Sequence, residues 1–182
     1  MTSPAKALLL YSTTDGHTRR IVEVIAESLA AQGVESDVVD INSGEPPSPE
    51  RYTAVLIGAS IRYGKFKPTV ARYASTYAEQ LNQKISAFVA VNLTARKEEK
   101  RSPTTNAYTH KFLEATPWQP GHCEVVAGAL RYPRYRLFDR LMIQLIMKMT
   151  GGETDPSKEI DYTDWERVSA FGREWGEQIR AH

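Results

Sequence analysis

One short run, Ser12-Thr13-Thr14-Asp15-Gly16-His17-Thr18, holds the densest set of reactive or ligand-binding side chains in this chain. An apolar stretch at residues 5–11 leads into it, and Ile21, Val22, Ile25, Ala26, Leu29 and Ala30 follow at helical spacing. A turn between a strand and a helix offers free backbone N–H groups and the positive end of the helix dipole, and hydroxyls add further donors. The chemistry this suits is anion binding, such as a terminal monophosphate wrapped by short side chains. Two other phosphate designs are excluded. The dinucleotide fingerprint G-x-G-x-x-G fails because Gly16 is the run's one glycine, and the P-loop fails because no lysine lies between Ser12 and Thr18. A receiver domain wants an acidic pair after its first strand, and only Asp15 is offered here. An ordinary helix N-cap, built from the same residue types, stays open as the competing explanation.

The elements that position this run alternate along the chain. Residues 34–41, 54–59, 85–91 and 123–130 read as further strands, with 54–59 lacking any polar alternation. Residues 68–81, 108–113 and 165–179 read as helices, Gly33 is placed to end the first helix, and 44–49 is a proline-rich surface connection. This order predicts an α/β fold, a mostly parallel sheet wrapped on both faces. Ligands bind such sheets beyond the carboxyl ends of the strands, which directs attention to residues 12–18, 60–67 and 92–96.

Composition narrows the function classes. At 182 residues, 41% hydrophobic and 25% charged, the chain suits one globular domain, expected to span 1–182, and not a disordered one. Its 23 Lys+Arg balance 22 Asp+Glu for a net charge of +1, which disfavours a basic nucleic-acid binder and a strongly acidic electron carrier. The single cysteine, Cys123, excludes an internal disulfide and a cysteine-based metal or iron–sulfur site. His110 and His122 lack ligand-like spacing, so no metal is expected. The N-terminal residues show no leader pattern, and no apolar stretch reaches the 18 residues a spanning helix requires, so the cytoplasm is the expected location.

The 12–18 run resembles the phosphate loop of the flavodoxin family. Further segments sharpen the resemblance: 57–64 after the third strand, 91–97 after the fourth, 127–135 after the fifth, then 147–155 and 162–166. Together they resemble the bacterial menaquinone-dependent protoporphyrinogen IX dehydrogenase family nearly end to end, although Thr14 and His17 stand where that family leads one to expect a basic residue and a glutamine. The resemblance implies a flavodoxin-like three-layer sandwich, a five-stranded parallel sheet between helices, holding FMN noncovalently. It further implies six-electron oxidation of protoporphyrinogen IX to protoporphyrin IX in three two-electron turns. Each turn would pass a hydride to the flavin, and menaquinone or ubiquinone would take the electrons in haem biosynthesis. FMN contacts are expected from Ser12, Thr13, Thr14, Asp15, Gly16, His17 and Thr18. The second loop adds Ser60, Ile61, Arg62, Tyr63 and Gly64, and the third adds Asn92, Leu93 and Thr94. Tyr63 would lie against the flavin face; a surface tyrosine packed on the 68–81 helix is the alternative. Arg96, Lys97, Arg131 and Arg134 are candidate partners of the substrate's propionates, and no general base can be named.

Residues 131–150 form a basic amphipathic segment. Arg131, Arg134, Arg136, Arg140 and Lys148 face a single acid, Asp139. At 100° per residue, Leu137, Phe138, Leu141, Met142, Leu145, Ile146 and Met149 share one half of a helix, and Ile143 and Met147 fall on the polar half. Such a helix either enters the membrane interface or packs on its own sheet. The family resemblance favours peripheral contact with the inner face of the cell membrane, where a lipid-soluble quinone is met. A diffusible flavodoxin-type carrier and an NAD(P)H:quinone reductase are the rival functions, and a homo-oligomer stays open.

Overall fold

Leu8, Leu9 and Leu10 are fully buried, as are Val55, Leu56 and Ile57, and Phe88, Val89 and Ala90. Successive strand residues point to opposite faces, so runs of this kind require cover on both sides of a sheet. The computed structural model describes residues 4–182; the first three residues of the expected 1–182 domain lie outside the described residues. Five parallel strands, β1 (Lys6–Ser12), β2 (Glu35–Asp40), β3 (Ala54–Ser60), β4 (Ile85–Asn92) and β5 (His122–Ala127), form one sheet in the order β2-β1-β3-β4-β5. On one face Leu9, Leu56 and Val89 meet α1 (His17–Ala30) and α6 (Trp165–Ala181) through Ile21, Ile25, Leu29, Trp175 and Ile179. On the other, Leu8, Ile57 and Phe88 meet α2 (Pro68–Thr76), α3 (Ala78–Gln83) and the buried Trp118. The α/β sandwich and its five-stranded parallel sheet are as expected.

Two boundaries differ from the sequence pattern. The single helix expected over 68–81 is broken at Tyr77, whose backbone leaves the helical region (φ −108°, ψ 17°). Val70, Tyr73, Ala74, Ala78 and Leu81 are all buried across the break, so the apolar periodicity hides it. The strand expected over 123–130 ends at Ala127. Past Gly128 the chain leaves the main sheet as β6 (Ala129–Arg131), which pairs antiparallel with β7 (Glu159–Asp161). The Gly128 N–H still reaches the Asn92 carbonyl at 3.2 Å while its own carbonyl accepts from Tyr162, so the switch of partner falls on this residue. The remaining helices are α4 (Ala107–Ala115) and α5 (Leu137–Met149), α5 falling in sequence between the two strands of the small ribbon.

Candidate functional site

The loops after β1, β3 and β4 converge with the β5–β6 junction and one seam of α5 around a cleft of about 970 Å³ of empty space, part of it open to solvent. At one end, α1 begins behind Gly16, whose φ of 89° is the left-handed conformation that glycine adopts readily. Gly16, the N-cap residue, has no side chain to offer the helix start, and the first turn holds no acid. Thr18 is buried and its Oγ1 has no hydrogen-bond partner. A buried hydroxyl left unpaired costs about 1–3 kcal/mol, so this atom, on a cleft-lining residue in the first turn of α1, fits an anionic ligand such as a phosphate.

The expected loop residues divide into lining and bracing. Thr14, Asp15, His17 and Thr18 line the cleft. Thr13 Oγ1 instead accepts the Gly16 N–H at 3.0 Å, and the buried Ser12 accepts from Asn42 Nδ2 at 3.2 Å. The Asp15 carboxylate accepts the His17 N–H at 3.1 Å. His17 itself is buried, with Nε2 2.7 Å from Thr163 Oγ1 and Nδ1 3.3 Å from the Arg131 guanidinium. Burial holds the His17 pKa below its ordinary value against the opposing pull of Asp161, and the Arg131 charge adds to the lowering. The imidazole is therefore neutral at pH 7.

The second wall is the 60–64 loop, tightly hairpinned by Arg62 and Lys65, whose N–H and carbonyl groups pair at 2.8 and 3.1 Å. Tyr63 takes φ 51° at its tip, a conformation that costs a non-glycine residue on the order of 1–3 kcal/mol and gathers at functional sites. Its half-exposed ring lies 6.4 Å from Phe138 of α5 and 5.7 Å from the Arg62 guanidinium. The third wall, Asn92–Thr94, is held stiffly: Asn92 Oδ1 accepts from Thr94 Oγ1 (2.7 Å), Ala95 N–H (3.1 Å) and Asn106 Nδ2 (3.0 Å). Asn106 is wholly buried and caps α4 through Thr109. Ser60, Ile61, Arg62, Gly64, Leu93 and Thr94 also line the cleft.

The four expected substrate cations are scattered. The Arg96 guanidinium bonds the Leu93 carbonyl at 3.0 Å and both the carbonyl and hydroxyl of Thr150, at 3.0 and 2.9 Å, strapping the end of α5 to the third wall. Arg134 pairs with Glu159 at 3.0 Å, Arg131 is engaged by His17, and Lys97 is solvent-exposed. Sequence reasoning missed the fourth wall, Met142, Ile143, Ile146 and Met147 of α5, together with Tyr108 and Tyr135. It also missed the ion pair between Arg62 and Asp139, which pins the first turn of α5 to the Tyr63 loop. The methionines of 131–150 were an available signal, because adaptable side chains suit an irregular ligand surface. No local signal announces the Arg62–Asp139 pair.

A parallel sheet ordered 2-1-3-4-5 with a phosphate-type helix start after its first strand defines the flavodoxin class. Solved flavodoxins share that fold. One from the domain Archaea superposes with a TM-score of 0.57 at 13% identity, covering 96% of this chain and 99% of the other. Flavodoxin 1 of Bacillus cereus gives 0.57 at 15% identity, covering 95% and 98%. Residues 8–157 match the family described as Flavodoxin domain. The chain is 53% identical over 169 residues, 93% of each chain, to the Escherichia coli (strain K12) protein named protoporphyrinogen IX dehydrogenase (quinone). A Leishmania major protein of the same name is 52% identical over 171 residues, covering 93% of this chain and 74% of that one. The chain belongs to the flavodoxin-domain family, and within it to the protoporphyrinogen IX dehydrogenases (quinone).

Proposed function

We propose that this chain is an FMN-dependent protoporphyrinogen IX dehydrogenase that delivers electrons to a membrane quinone. The observation that carries the reading is the cleft itself, an anion-ready helix start at one end and aromatic and apolar walls along the rest, in a chain so similar to dehydrogenases of that name. Bound FMN supplies the two-electron redox chemistry. Thr14, Thr18 and the first-turn amides of α1 would hold its phosphate. Tyr63 and Asn92–Thr94 would flank its ring system, and the rigid Asn92–Asn106 network preorganises that flank. Met142, Ile143, Ile146 and Met147 shield the cleft from water along α5. Lys97, exposed just past the third wall, would be free to meet a propionate of the tetrapyrrole.

The quinone reading rests on the outer side of the same helix. Leu137, Phe138, Leu141, Leu145 and Met149 are 52–78% exposed there, flanked by Arg136 and Lys148. No helix among the described residues is long and apolar enough to cross a membrane. We assign this face to peripheral contact with an anionic bilayer on the cytoplasmic side, where basic residues gain about 1 kcal/mol each. Burying each large apolar side chain adds about 1.5–3 kcal/mol at most, so the apolar face is the larger contribution to that contact. A quinone held in that bilayer then needs to pass only one helix to reach the cleft.

The test has two parts. The purified protein should show a flavin absorption spectrum and generate porphyrin fluorescence from protoporphyrinogen IX when a quinone is supplied. A colourless protein, or a flavoprotein inert to protoporphyrinogen, rejects the activity. Leu141→Ser with Leu145→Ser should lower partition onto anionic vesicles by at least about tenfold. It should slow turnover with a long-tailed quinone more than with a water-soluble one. Equal losses with both quinones, or a dimer in solution that hides α5 from vesicles, would take the membrane from this face.

A further inference from the structure

The 12–18 loop contains an acid, Asp15, and neither lysine nor arginine. A helix start is equivalent to only about half a positive charge, whereas a phosphate monoester near neutral pH carries about two negative ones. The Asp15 carboxylate at the His17 N–H widens that gap. Two distant segments narrow it. Lys67, the residue that precedes α2, donates from Nζ to the Thr13 carbonyl at 2.8 Å, across 54 positions of sequence. Arg131, the last residue of β6, reaches His17 across 114 positions.

The geometry around His17 has one consistent set of donors. A guanidinium only donates, so Nδ1 of His17 accepts from Arg131 at 3.3 Å and the ring proton sits on Nε2. Nε2–H donates to Thr163 Oγ1 at 2.7 Å, and that hydroxyl donates to the Ala127 carbonyl at 2.8 Å. Protonation of Nδ1 would break the first link. His17 is also the first residue of α1, so the neutral ring ties the guanidinium to the helix start itself. The unpartnered, buried Thr18 Oγ1 one residue on marks independently where an acceptor belongs.

We propose that Lys67 and Arg131 supply the counter-charge of the phosphate site and that neutral His17 is a positioning residue for Arg131. The inference rests on the FMN reading above and adds that selection of FMN over riboflavin is made by cations from outside the loop. Full-length protein stripped of flavin is titrated with FMN and with riboflavin, following the quenching of flavin fluorescence. The parent should hold FMN far more tightly. Arg131→Gln should weaken FMN about ten- to a hundredfold, with riboflavin affinity, which also reports an intact cleft, unchanged. Lys67→Gln should weaken FMN about three- to tenfold, and the double variant should lose most of the salt dependence of FMN binding. His17→Leu should act as a milder Arg131→Gln, and His17→Gln, which keeps an acceptor, should recover most of the loss. FMN affinity unchanged in both cation variants, or riboflavin falling in parallel, overturns the assignment. A parent that binds both flavins equally also overturns it and leaves the flavodoxin reading standing; a parent that binds neither overturns both.

Discussion

Helices α5 and α6 are both amphipathic, yet they treat their apolar faces in opposite ways. Along α6, Val168, Trp175 and Ile179 are buried against α1 and the sheet. Gly172 and Gly176 bring α6 so near α1 and the turn after it that an added Cβ would stand 2.8 Å from Ser28 Cβ and 2.5 Å from Gln32 Nε2. Along α5 only Met147 is buried, while Phe138 is 67% and Met149 78% exposed. The residues that pack or line the cleft include Ile143 and Met147, the two apolar positions on the helix's polar half. An apolar stripe states that a surface needs covering; it does not state by what. In α6 the chain covers its own stripe and gains stability, whereas in α5 most of the stripe stays exposed, and Ile143 and Met147 join Met142 and Ile146 in lining the cleft.

The sharpest way to break this contrast is truncation. Trp175→Ala should cost about 3–5 kcal/mol in urea unfolding, because it empties a fully buried site between α6 and the sheet. Leu141→Ala in α5 should stay within about 0.5 kcal/mol of the parent. Comparable losses would mean that the α5 face is packed in solution and that the contrast fails.

A smaller effect is expected where α5 is latched. Asp139→Asn removes the carboxylate paired with Arg62 across the cleft mouth, which should cost about 1 kcal/mol of stability. Hydrogen exchange should quicken along α5 and remain as in the parent along α6. Acceleration in both helices together would show one cooperative unit in place of two.

The smallest effect is a pH dependence at the start of α6, where His17 meets Trp165 edge-on at 5.6 Å. Burial depresses the folded pKa of His17 below 6.5, with Arg131 adding to the effect and Asp161 opposing it. The unfolded chain therefore takes up the proton first. The stability that neutral His17 contributes is complete above pH 6.5 and is lost as pH falls from there through the lower folded value. Melting temperatures of the parent and His17→Gln, compared from about pH 8 to about pH 5, should diverge only below that point, the parent losing more. Parallel curves throughout would remove His17 from the α6 end of the comparison.

Much of the fold was legible because its signals are local. β1 and β3 carry unbroken apolar runs, the signals that start and stop α1 lie right beside it, and Gly33 takes φ 78° in the turn that ends it. The break at Tyr77 was not legible, since a helix can bend without interrupting its buried face. Nor was the switch at Gly128, since Ala127 and Ala129 are equally apolar while their strand partners, Asn92 and Asp161, lie far away in sequence. In the cleft, Tyr63 and Asn92 could be named from their places at strand ends, but the stiffness of the Asn92 wall comes from Asn106, and that is a contact of the folded chain.

The sequence by itself determined the alternation of strands and helices, the three loops that form the cleft, and the presence of a basic amphipathic segment over 131–150. Each is written in contiguous residues through backbone conformation and apolar periodicity, and these need no partner to be read. Only the tertiary structure decided which half of α5 faces outward and that Arg96 straps that helix to the third wall. It alone brought Lys67 and Arg131 to a loop that has no cation of its own. Parallel strands joined by crossovers bring such residues together across dozens of intervening positions. The side chains at the two ends of such a contact carry no mark of one another until the sheet has formed.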